Sequence, residues 1–245
     1  MPIPSEALLN NIVAEIRKAY KAKADPAIVT KYSRYFKEGY IGYGVSSEDY
    51  REIEEGIVKK YGEQLGLEGF LALGDLLMQG KMFEENTFAY HVLLTYKTEF
   101  TKATFLHITK WLEGGIKNWG HCDSLCGGVL IEFYTKKIVT TTDLAGWVKA
   151  KSQWKRRALP VSLITFLKKL KVPVKELLPL VEPLMMDEER VVHQGLGWFL
   201  REAWKVEPKP VEALLLQWKD KSARLIFQYA TEKMTKEQKE RYKKG

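Results

Sequence analysis

Three short segments hold the residues most able to do chemistry. The first is Asn118-Trp119-Gly120-His121-Cys122-Asp123, where a tryptophan and a carboxylate sit four residues apart. Its Asp123 reads as the start of a helix, and an aspartate there most often caps backbone N–H groups. His121, Cys122 and Cys126 invite a zinc reading. That reading fails because three near-adjacent ligands lack a second pair at the usual spacing, so no metal is expected. Cys126 with Gly127 and Gly128 reads as close helix packing. The second segment, Gln153-Trp154-Lys155-Arg156-Arg157-Ala158, opens a helix with three consecutive cations. It reads either as a solvated basic turn or as a phosphate contact, since a guanidinium fork matches a phosphate. Cations there oppose the helix dipole, a local cost that an anion would offset. The third, Gly195-Leu196-Gly197-Trp198-Phe199-Leu200-Arg201-Glu202, lies within a helix. Two interior glycines cost about 1 kcal/mol each against alanine, which is reasonable where another helix or a ligand comes close. Trp198 is a core candidate, and Arg201 and Glu202 are placed to pair with neighbouring helices.

The elements that must hold these segments are helical nearly throughout. Leu8, Ile12, Val13, Ile16 and Tyr20 recur at three- and four-residue steps and predict a helix over 5–23. Ser46 and Ser47 before Glu48 and Asp49 are cap chemistry for a helix to Tyr61. Further helices are predicted over 66–80, 88–100, 104–112, 123–134, 140–150 and 153–170. A helix over 174–185 is interrupted by Pro179 and Pro183. Others follow over 187–204 and 210–218, with two short ones over 222–243. The best strand candidate, 137–142, reads as a loop and a cap. Helices of this length joined by short loops, without a long linker, suggest one domain over residues 1–245, an all-α solenoid of antiparallel helix pairs. Trp119, Trp154 and Trp198 lie roughly one HEAT-type period of about 40 residues apart.

Composition narrows the partners. The chain has 245 residues, 45% of them hydrophobic, and 39 Lys and Arg against 31 Asp and Glu give a net charge of +8. A basic balance favours polyanions, either nucleic acid or an anionic membrane face. No apolar run reaches the roughly 18 residues of a membrane span, and no leader is expected at Met1–Ala7. Two cysteines close together fit a reducing compartment. The expected location is therefore cytoplasmic and nucleoid-associated, or nuclear in a eukaryote.

In this order and with these gaps, the three segments resemble the AlkD-type DNA alkylation repair glycosylases. That family's pattern is Trp-x-x-x-Asp, then Trp-x-x-Arg-Ala, then Gly-Trp-x-Leu-Arg-Glu. An N-terminal segment, Arg34-Tyr35-Phe36-Lys37 through Gly44-Val45, resembles the family's first helix-pair connection. The likeness spans residues 5–230, and the ordered set is far more specific than any one motif. His121, Cys122 and Pro160 depart from the pattern. The resemblance implies a HEAT-like solenoid whose concave basic face holds double-stranded DNA containing alkylated purines. It implies a monomer with no cofactor. Asp123 matches the catalytic carboxylate, and Trp119 and Trp198 match the aromatic pair flanking the lesion's deoxyribose. Arg157 matches the arginine near the lesion backbone, with Arg156 and Lys155 lining the groove and Tyr35 on the first motif's tyrosine.

The implied reaction is excision of N3- or N7-alkylated purines in base excision repair. Such a base is already cationic and leaves without a general acid. The charge that develops on the sugar is oxocarbenium-like, as in glycoside hydrolysis. One carboxylate beside the anomeric carbon stabilises it, and tryptophan faces assist. Two alternatives stand beside this expectation: a non-catalytic solenoid that recognises DNA structure, and a protein-interaction scaffold whose charge is incidental.

Overall fold

A computed structural model describes residues 4–36 and 39–244. Lys37, part of the N-terminal resemblance, lies outside the described residues. Those residues contain helices and turns and no strand, so the all-helical expectation holds. None of their helices is long and apolar enough to cross a membrane. They gather into two compact units, Met1–His121 and Cys122–Gly245.

The first unit holds α1 (Glu6–Ala22), α2 (Pro26–Ser33), α3 (Ser47–Leu77), α4 (Phe83–His91), α5 (Lys102–Gly114) and the start of α6 (Trp119–Ser124). Ser5 caps α1 by accepting from the Leu8 N–H, and Leu9, Ile12, Val13, Ile16 and Tyr20 form its buried stripe. That stripe packs on α3. Ser46 caps α3 through the Asp49 N–H at 3.1 Å. The chain breaks direction inside α3 at Gly66, where φ is 55° and ψ is −166°. A side chain resists that conformation, which explains why the sequence reads as separate helices on either side. No periodicity marks α2, because none of its residues is buried. Its signal is local instead: Asp25 accepts from the Ala27 N–H at 2.7 Å, and Pro26 occupies the first turn.

The second unit continues α6 through a π-helical turn at Leu125–Val129 into α7 (Leu130–Thr135). It then adds α8 (Thr141–Leu144), α9 (Gln153–Lys168), α10 (Val174–Val181), α11 (Arg190–Val206), α12 (Pro208–Trp218), α13 (Arg224–Ala230) and α14 (Lys236–Glu240). The Thr140–Asp143 pair caps α8 reciprocally, as the sequence suggests. α9 continues through Pro160 without ending there. α10 keeps Pro179 but gives way to a 3-10 turn at Glu182–Met186, which contains Pro183. α11 is the centre of this unit, packed against both α9 and α13.

Candidate active site

In the first unit, Trp119 anchors an aromatic wall. Its ring stacks on Phe36, with centroids 5.0 Å apart and planes at 22°. Phe36 in turn meets Tyr40 and Phe83. A cavity of about 340 Å³ lies among Tyr32, Tyr35, Phe36, Tyr40, Phe83 and Trp119. The loop behind it is fixed by a buried carboxylate: Glu84 accepts from the backbone N–H groups of Tyr43, Gly44 and Val45. Tyr35 is 62% exposed at the cavity's edge. The buried imidazole of His121 stacks on Phe83 at 4.3 Å. The Asn118 amide donates to its Nδ1, so Nε2–H donates to the Phe83 carbonyl at 3.0 Å. Burial, with Lys117 nearby, lowers its pKa to about 4 against the opposing Phe83 bond. His121 is therefore a neutral packing group.

The second unit holds Asp123, and here the structure corrects one reading. α6 begins at Trp119, four residues before Asp123. Asn118 supplies the cap instead, its Oδ1 accepting from the His121 N–H at 2.9 Å. Asp123 thus lies beyond the first turn, where its carboxylate is free of capping duty. Arg157 grips it with two bonds, Nε to Oδ1 at 2.9 Å and Nη2 to Oδ2 at 2.8 Å. Arg157 Nη1 donates to the Val191 carbonyl at 2.6 Å. The Asp123 side chain keeps 18% of its surface exposed, against 6% for Arg157. Burial lifts the Asp123 carboxyl above its ordinary pKa, and the arginine opposes that lift without cancelling it. The thiols beside it are structural: Cys122 donates to the Trp154 carbonyl and Cys126 to that of Ala158. Gly127 and Gly128 are exposed, and a Cβ on either would meet nothing within 4 Å. The close packing expected of them is therefore absent.

The basic start of α9 is not a solvated turn. Arg156 turns onto Asp187, Nε to Oδ2 at 2.6 Å, and also donates to the Ala150 and Lys151 carbonyls. The anions that offset the cost of cations at this helix start are the chain's own, Asp187 and Asp123. Lys155 lies 5.9 Å from the Trp147 ring centroid. In α11 the glycines serve helix approach, as expected. A Cβ on Gly195 would sit 3.1 Å from Arg157 Cγ, and one on Gly197 would sit 2.5 Å from Tyr229 Cβ and 2.8 Å from the Ile226 carbonyl oxygen. Trp198 is half-buried beside this contact. Arg201 pairs with Glu232, and Glu202 with Lys168 of α9 and with Lys205.

The model of one family, described as DNA alkylation repair enzyme, matches residues 16–234. The chain belongs to the DNA alkylation repair enzyme family. Membership carries a role in the repair of alkylated DNA, with DNA as what the protein acts on. Among solved structures, one similar chain is a predicted DNA alkylation repair enzyme from Enterococcus faecalis. It is 16% identical with a TM-score of 0.72, over 87% of this chain and 98% of that one. At that identity the likeness speaks for the fold. No curated protein matches the sequence.

Within this family member, sequence reasoning missed three parts of the site. Phe36 lies in a quoted motif, yet nothing in its spacing reveals the stack on Trp119. Asp187 and the Val191 carbonyl stand 31 and 34 residues from the arginines they hold. The Asn118 cap was passed over in favour of Asp123, although an asparagine just before a helix is an ordinary cap signal.

Proposed function

We propose that the protein is a DNA glycosylase that releases N3- or N7-alkylated purines from duplex DNA, with Asp123 as its catalytic carboxylate. The observation that carries this reading is a partly exposed carboxylate held by a bidentate arginine yet kept more basic than an ordinary aspartate. In the reaction, the bond between the sugar's anomeric carbon and the base nitrogen breaks. Its electron pair neutralises the cationic base, and positive charge develops on the sugar. The ionised Asp123 stabilises that charge in a site partly screened from water, where such contacts are strongest. It then accepts a proton from the water that adds to the sugar.

Trp119 and Trp198 present aromatic faces to the sugar's charge. Arg157 is a positioning residue in this account: with all three of its side-chain nitrogens bonded within the protein, it fixes the carboxylate. Lys155 and Tyr35 are assigned to the DNA backbone, on the concave basic face of a monomeric, single-domain HEAT-like solenoid, while Arg156, its side-chain nitrogens all bonded within the protein, holds the start of α9 in place. Base excision repair is the process this reaction would begin, at the chromosome.

The test is release of free methylpurine from methylated duplex DNA under single-turnover conditions. Release at a rate well above spontaneous depurination supports the reading. Binding of DNA without release would leave a non-catalytic DNA-structure binder, and no DNA affinity at low salt would leave a protein scaffold.

A further inference from the structure

The positive charge of the chain is concentrated at its end. Residues 219–244 hold nine Lys and Arg against four Asp and Glu, a net +5 of the chain's +8. Within this stretch, a cavity of about 300 Å³ opens in the second unit between α13 and α14, and Arg224, Lys239 and Lys243 line it with no carboxylate among the lining residues. The Arg224 guanidinium lies over the Phe227 ring at 4.7 Å. Its Nη1 donates to the Tyr242 carbonyl at 2.8 Å and the Lys219 carbonyl at 3.5 Å. Lys239 Nζ reaches only a carbonyl, that of Glu232, at 3.4 Å. Lys243 meets the exposed Glu240 at 2.7 Å. Among the described residues, Arg224 and Lys239 therefore have no carboxylate partner. Tyr242 lines the cavity with the rest of its side chain buried. A concave site with a guanidinium and two ammonium groups suits a tetrahedral oxyanion.

We infer that this C-terminal pocket is a phosphate-binding site that grips the backbone of duplex DNA. It rests on the DNA-repair reading but adds a contact that none of the catalytic segments supplies. The pocket reads no base, so its contribution is the same on undamaged and alkylated DNA.

The test uses the full chain and a fluorescein-labelled undamaged 20-base-pair duplex, with affinity measured against KCl concentration. Wild type is compared with Arg224→Gln/Lys239→Gln/Lys243→Gln, with Lys239→Gln/Lys243→Gln (which keeps the Arg224 bonds to the backbone), and with Tyr242→Phe. Loss of one phosphate contact makes the slope of log affinity against log salt shallower by about 1. Both charge variants are expected to show that change and a fall in affinity of roughly tenfold. Tyr242→Phe serves as a control: it removes a hydroxyl closed off from solvent and is expected to leave affinity and slope unchanged. Unchanged affinity and slope in the folded double variant would overturn the proposal. So would a thermal shift by inorganic phosphate that the variants abolish without any change in DNA affinity. Failure of the glycosylase reading is separable, because it appears as absent base release whatever the salt slope.

Discussion

Two carboxylates of the second unit are both sheltered from water, and their acidities move in opposite directions. Burial would raise Glu202 too, but Lys168 and Lys205 outweigh it and hold its pKa at about 2; Arg201 adds a third cation at 3.3 Å. Asp123 has one cation, Arg157, and ends above its ordinary value. Burial alone therefore does not set the outcome; the number and placement of cations do. Glu202 is an overcompensated tie between α9 and α11. Asp123 keeps a pKa above its ordinary value and part of its surface open.

Substitutions break this comparison in graded steps. The largest effect is expected at Asp123: Asp123→Asn lowers base release by on the order of 100–1000-fold, read as a single-turnover rate. Arg157→Gln comes next. It removes the grip on a largely buried carboxylate and costs about 3–5 kcal/mol of stability in chemical denaturation. It also shifts the pH profile. Release needs the ionised form of Asp123, so the rate falls as pH drops through a pKa that lies above the ordinary aspartate value. Without the arginine's lowering influence, that fall is expected at higher pH. Glu202→Gln should cost less, about 1–3 kcal/mol, because its lysine partners are nearly half exposed and water replaces part of what they lose. Its release rate per folded molecule stays at the wild-type level. The Glu202 contribution is fully present above pH 4.5 and is lost as pH falls toward about 2, so the wild type should lose thermal stability across that window while Glu202→Gln loses less.

Smaller effects sharpen the picture of how the site is walled. Trp119→Ala removes the stack on Phe36 and an aromatic face, and release is expected to fall about tenfold, in line with a cation–π contribution of about 1–2 kcal/mol. The α11 and α6–α7 glycines should respond with opposite signs. Gly197→Ala drives a Cβ into the backbone of α13 and destabilises by about 1–3 kcal/mol. Gly127→Ala meets open space and stabilises by about 0.5–1 kcal/mol. Thermal midpoints of the two variants check both signs.

Most of the helices were legible in the sequence, because apolar residues at three- and four-residue steps report a buried stripe directly. α1 lies where the pattern puts it, with Ile12, Val13, Ile16 and Tyr20 buried as expected and Leu9 buried in place of Leu8, and the interruption after α10 falls where Pro183 predicts it. α2 escaped notice because it buries nothing, leaving only its Asp25–Pro26 start to mark it. The start of α6 was misplaced because Asp123 resembles a cap and Asn118 is the true one. The helix approaches at Gly195 and Gly197 were legible, since interior glycines need a reason. The partners of the arginines were not. A contact between Arg157 and Asp123, or between Arg156 and Asp187, depends on which helix packs beside which, and a gap of more than 30 residues carries no local trace of it.

The central claim is that Asp123 performs the chemistry and does not merely complete an ion pair. The most direct measurement follows methylpurine release from methylated duplex DNA, wild type beside Asp123→Asn, with DNA affinity and thermal midpoint measured on the same samples. The account predicts release by the wild type and loss of release in a folded variant that still binds DNA. Full release by Asp123→Asn, or no release by a wild type that binds DNA well, would contradict it.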